Sequence, residues 1–143
     1  MTEAQASVSR FNETYDAQLL LWPASTAAVA ATTVNGTPLD LGNGEWWGQL
    51  IIDVSSITVA STHTYTIALQ GAVTNFATIR ELACLRIGDT AAWGETFGDS
   101  TVGRYKLPCC NFKGQDGPFR YVRLVCTAAV GTIDFTAFLA TLN

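Results

Sequence analysis

The chain has 143 residues, enough for one domain around a single core and too few for two of ordinary size. Apolar residues make up 48% of it, but charged residues only 14%, with a net charge of −4. That balance excludes a disordered acidic chain, which needs high charge and few apolar groups, and a nucleic-acid binder, which needs a basic stripe to displace counterions. Thr, Ser, Ala and Gly stand where charges would be, as suits strands and turns whose outer faces meet other protein.

Residues 1–15 are polar, free of glycine and without alternation, and read as an N-terminal arm ahead of a domain at 16–143. The arm has one base, Arg10, and no apolar stretch of signal-peptide length, so a cytoplasmic product is expected. No run is long and apolar enough to cross a bilayer, and no membrane partner is expected. Strands are predicted at 17–22 and 27–34, followed by turns at Asn35-Gly36 and Gly42-Asn43-Gly44, where residues tolerant of positive φ cluster. Residues 49–54 form a β-branched, near-continuous apolar run, the pattern of a strand covered on both faces. In 63–70 Tyr65, Ile67 and Leu69 alternate with smaller or polar residues, as a strand with one buried face should. A strand is expected at 82–87; the helical spacing of Ile79, Leu82, Ala83 and Ile87 lets a helix over 75–87 compete with it, but that helix carries no cap.

An irregular insertion with Trp93 and Phe97 fills 89–102, and a strand at 103–107 follows. Strands are again expected at 119–126 and 132–138, where Val122 and Leu124, then Ile133, Phe135 and Ala137, recur at period two. Pro23, Pro38, Pro108 and Pro118 are expected at strand ends, where a missing N–H costs least. Gly71, Gly88, Gly98, Gly103, Gly114, Gly117 and Gly131 are expected in turns. About eight short strands separated by turn signals indicate an all-β antiparallel sandwich or barrel.

Chemistry-bearing residues are sparse. Cys84, Cys109, Cys110 and Cys126 contain no C-x-x-C pair, and the single histidine, His63, stands alone. A tetrahedral zinc site is therefore not expected, and the cysteines read as reduced, mostly buried thiols. A nucleophile–base pair would have to run through His63, and no G-x-S-x-G, phosphate-cradling loop or H-E-x-x-H occurs. Asp40, Glu45, Asp53, Glu81 and Glu95 read as solvated carboxylates rather than a paired acid and base. No catalytic residue, metal or cofactor is assigned. Glu45-Trp46-Trp47-Gly48 follows a turn, so one indole is expected to plug the end of the sandwich and the other to meet a partner. Seven of the eight bases follow residue 79, and Arg104, Lys106, Arg120 and Arg123 are candidates for one surface facing an acidic partner, with isolated solvated bases as the plainer reading.

The order of several short landmarks carries a resemblance. They are Asp16-Ala17-Gln18-Leu19-Leu20-Leu21, Ala28-Val29-Ala30-Ala31-Thr32-Thr33, Leu39-Asp40-Leu41-Gly42, Leu69-Gln70, Phe76, Leu107-Pro108, Arg120-Tyr121-Val122-Arg123-Leu124, Gly131-Thr132 and Phe138-Leu139. Over residues 16–142 this order resembles the small cement, or decoration, proteins of tailed-bacteriophage capsids. The resemblance implies a jelly-roll sandwich, a homotrimer, attachment to the major capsid protein on the outside of the virion shell, and no catalytic residue. The arm, the 89–102 insertion and Cys109-Cys110-Asn111 depart from that pattern. Interface candidates are Trp46, Trp47, Trp93, Phe97, Arg10 and Phe11. The alternative is a carbohydrate-binding jelly-roll module that stacks sugars on Trp46, Trp47 or Trp93.

Overall fold

The computed structural model describes residues 13–23, 33–34, 38–74, 76, 78–89, 91, 102–128 and 130–142. Nine strands are present among them: β1 (Glu13–Trp22), β2 (Thr33–Val34), β3 (Leu39–Asp40), β4 (Trp47–Ile57), β5 (Thr64–Ala72), β6 (Arg80–Gly88), β7 (Gly103–Cys110), β8 (Tyr121–Ala128) and β9 (Ile133–Leu142). β2 and β3 both run antiparallel beside β8 and act as two pieces of one interrupted strand, which makes eight. The described residues contain no α-helix.

The strands form two antiparallel sheets, β1-β9-β4-β7 and β2/β3-β8-β5-β6. Read from the chain ends inward, the pairs are β1 with β9, β2/β3 with β8, β4 with β7 and β5 with β6. That is one long hairpin turning between β5 and β6. Rolling it up creates two further ladders, β4 with β9 and β5 with β8, and splits the ribbon between two layers. The protein is a jelly-roll β-sandwich, as expected.

Alternation explains the core. Leu50, Ile52 and Val54 of β4 and Ile133, Phe135, Ala137 and Leu139 of β9 meet Tyr65, Ile67 and Leu69 of β5 and Val122, Leu124 and Cys126 of β8, all buried. Trp22 stacks on Phe135 with ring centroids 4.9 Å apart. In its middle β4 is buried on both faces, because Ile51 packs outside the sheet with Phe138, Ala140 and Leu20.

Several expectations are corrected. The strand expected at 82–87 is present but longer, as β6 from Arg80; its Ala83, Leu85 and Ile87 register against Leu69, Ile67 and Tyr65 of β5, and this long-range ladder prevails over the competing helical spacing. β1 begins at Glu13, and Glu13, Thr14 and Tyr15 pair with the end of β9, so the sheet takes up the last three residues of the expected arm. Of the strand expected at 27–34, only Thr33–Val34 lies within the described residues. Pro108 sits inside β7 rather than at its end, which is tolerated because β7 is an edge strand. Gly71 makes no turn. It lies inside β5, where a Cβ would meet Leu82 and Phe119 at 3.0 Å, so its value is the room it leaves.

Candidate functional site

The tryptophan pair lies where β3 hands over to β4, and alternation sends its two members opposite ways. Trp46 points into the mouth of the sandwich. Its indole Nε1 donates to Thr141 Oγ1 at 3.1 Å, and the ring lies across Gly48, where a Cβ would fall 2.6 Å from two ring carbons. Trp46 is thus the plug of the pair. Trp47 begins the outer face of β4 and is 56% exposed, and Phe112 meets it edge to face at 4.7 Å and 84°. Trp47 is the one interface candidate that the described residues leave open to solvent; Trp93, Phe97, Arg10 and Phe11 lie outside those residues.

Asn111, which sequence reasoning missed, holds this end together. It is fully buried, and its side chain accepts the Trp46 N–H at 2.8 Å while donating to the carbonyls of Gly44 at 2.9 Å and Phe119 at 3.1 Å. Its backbone N–H donates to the Trp46 carbonyl at 3.2 Å, and its carbonyl accepts the Phe119 N–H at 2.6 Å. One asparagine therefore ties the start of β4, the end of β7 and the approach to β8 into a single platform beneath Trp47. Nothing local marks it, since its partners Trp46 and Gly44 stand 65 and 67 residues away.

The bases do not gather on one surface. Arg104 and Lys106 project from β7 on the outer face of the four-stranded sheet, whereas Arg120 precedes β8 and Arg123 lies on the outer face of the other sheet. Arg104 forks onto Asp53 at 2.6 and 2.9 Å, Arg120 forks onto Asp40 at 2.9 Å through both arms, and Arg80 reaches Asp116 at 3.0 Å. Arg123 donates to Gln70 at 3.0 Å and covers the Phe76 ring at 4.2 Å. The Arg120 guanidinium, helped by the Gly42 N–H, holds the Asp40 carboxyl below its ordinary value.

The remaining reactive groups are engaged in structure. Cys109 and Cys110 point to opposite faces of β7, as strand geometry requires. Cys109 packs on the core and burial pushes its thiol up to about 12, while Cys110 donates to the Phe112 carbonyl at 3.2 Å. Burial likewise pushes the Cys126 thiol up to about 12, and it raises that of Cys84. All four cysteines are free thiols; Cys126 is buried and the other three are half-buried. His63 Nδ1 donates to the Thr58 carbonyl at 3.2 Å, a backbone acceptor rather than a nucleophile, and the buried Tyr65 hydroxyl donates to the same carbonyl. A shallow cleft between Asp53, Ser55, Asp134 and Thr136 places two carboxylates near each other, but both oxygens of Asp53 are taken by Arg104. Among the described residues no three His, Cys, Asp or Glu converge on a point that could hold a metal, and no helix is long and apolar enough to cross a membrane.

No protein-family model matches this sequence, and no curated protein matches it either.

Proposed function

We propose that this chain is a capsid decoration protein of a tailed bacteriophage, a homotrimer attached to the outer surface of the major-capsid-protein shell, where it stabilises the head. The observation that carries the reading is that landmarks scattered through the sequence meet in space. Asp40 of one landmark forks with Arg120 of another, and Gln70 and Phe76 both engage Arg123. Leu20 of the first stands opposite Phe138 of the last. A set of motifs whose order resembles a family is, in this fold, a set of mutual contacts, which is what a shared scaffold would require. The role itself asks for surfaces rather than reacting groups. Surfaces are what three of its carboxylates help to build, since Asp40, Asp53 and Asp116 are each paired with an arginine on the outside of the sandwich.

Binding of this kind stabilises a shell by mass action, since whatever binds the assembled state alone shifts the equilibrium toward it. Interfaces on the order of 1,000–2,000 Å² per copy would suffice. The test is to add the purified chain to heads stripped of decoration protein. Saturable attachment in multiples of three, with a raised temperature of head disruption, is expected, and a chain that stays monomeric and leaves heads untouched overturns the proposal.

One observation favours a second reading, a carbohydrate-binding module. Trp47 is a half-exposed indole braced by Phe112, the geometry of a sugar-stacking platform. Jelly rolls serve lectins as well as capsids, so the fold does not choose. Quenching of tryptophan fluorescence by a glycan, lost in Trp47→Ala, would establish it.

A further inference from the structure

The loop that carries the tryptophan pair contains a second piece of chemistry. Asn43 and Gly44 are both exposed, in a bend between β3 and β4. Gly44 has φ +118, a torsion that L side chains rarely adopt, although a Cβ there would find nothing within 4 Å. The turn, not crowding, demands glycine at 44. Glycine after asparagine leaves the following backbone nitrogen without a side chain to shield it from the asparagine amide. Among the described residues no hydrogen bond holds the Asn43 side chain or the Gly44 N–H. One residue onward the chain is clamped, for Asn111 Nδ2 holds the Gly44 carbonyl and Asn111 Oδ1 holds the Trp46 N–H.

We propose that Asn43-Gly44 is a spontaneous modification site whose conversion to isoaspartate resets the Trp46-Trp47 platform. The Gly44 nitrogen, on losing its proton to base, attacks Asn43 Cγ. The N–Cγ bond forms, the Cγ–Nδ2 bond breaks, and ammonia leaves carrying that proton, giving a cyclic succinimide. Water then opens the ring at either carbonyl, yielding aspartate or isoaspartate, with no oxidant or reductant involved. Isoaspartate places an extra carbon in the main chain one residue before the Gly44 carbonyl that Asn111 grips, and a new negative charge three residues before Trp46. The strand cannot absorb the added length, because Trp47 pairs with β7 and Gly48 onward is locked between β7 and β9. The strain therefore falls on the Asn111 clamp. The consequence for attachment to a shell rests on the function proposed above; the chemistry and its effect on the tryptophans do not.

The experiment ages the purified full chain at mildly alkaline pH and follows it by peptide mapping, by enzymatic methylation of isoaspartate and by tryptophan emission. Mapping separates position 43 from the chain's other Asn-Gly pair, Asn35-Gly36. Isoaspartate is expected at 43 several-fold ahead of Asn75 and Asn111, with emission shifting to the red as Trp46 loosens. Asn43→Ser should show neither change, and Asn43→Asp should carry the charge without the emission shift. An Asn43 amide that survives while Asn75 is converted overturns the site. Isoaspartate at 43 with unmoved emission overturns its coupling to the platform. Both readouts are made without capsids, so a failure to bind heads leaves them intact.

Discussion

Asn111 and Trp46 grip each other in both directions: the Trp46 N–H donates to the Asn111 side-chain oxygen, and the Asn111 N–H donates to the Trp46 carbonyl. The exchange mimics a strand ladder at a point where the sheet has ended. It explains how a loop of glycines can present an exposed indole on a firm base.

Asn111→Leu removes all three side-chain bonds, leaving the part-buried Trp46 N–H and Gly44 carbonyl and the buried Phe119 carbonyl without their partner. A loss on the order of 3 kcal/mol in unfolding free energy is expected. Urea denaturation followed by circular dichroism measures it, and a loss well under 1 kcal/mol would show that water replaces the asparagine.

The two tryptophans should separate stability from binding. Trp46→Ala empties the mouth of the sandwich and should cost about 3 kcal/mol, whereas Trp47→Ala should change stability by less than about 1 kcal/mol. Attachment to stripped heads should weaken in Trp47→Ala, and equal attachment by that variant and the parent chain would remove Trp47 from the interface.

Gly48→Ala tests the close approach of Trp46. The added methyl would fall within contact distance of the Ala140 carbonyl oxygen and the indole, both already in place. Destabilisation of about 2–3 kcal/mol is expected from overpacking, with a shifted tryptophan emission reporting the displaced ring.

Two desolvated thiols, one buried and one half-buried, set an alkaline limit. Cys109 and Cys126 have folded values of about 12 against an ordinary 9.0, so above pH 9 the unfolded chain gives up protons that the folded chain keeps. Stability is therefore full below pH 9 and falls as pH rises toward 12. A pH series of thermal melts should show that decline, and Cys109→Ala with Cys126→Ala should flatten it. Native Cys126 should also resist alkylation long after the unfolded chain has reacted.

At the acid end, Asp40 has a folded value below its ordinary 3.8, so its contribution is complete above 3.8 and is lost as pH falls through the lower folded value. The pair is exposed, so the effect should be small. Arg120→Lys keeps the charge but loses the fork, and an NMR titration should find the Asp40 carboxyl moved back toward 3.8.

Period-two alternation settled the fold class and most of the core before any contact was known. Tyr65, Ile67, Leu69, Val122, Leu124, Ile133 and Phe135 can be assigned inward from spacing alone, because successive side chains on a strand must face opposite ways. The continuous run at 50–52 likewise announced a strand covered on both sides. Only the rolled topology decided what those faces meet. It put Asn111 under Trp46, Arg120 on Asp40, Pro108 on an edge and 80–88 in a ladder rather than a helix. Alternation is a property of adjacent residues, whereas each of these partners is chosen by register between strands far apart in the chain, and that register exists only once the hairpin has closed on itself.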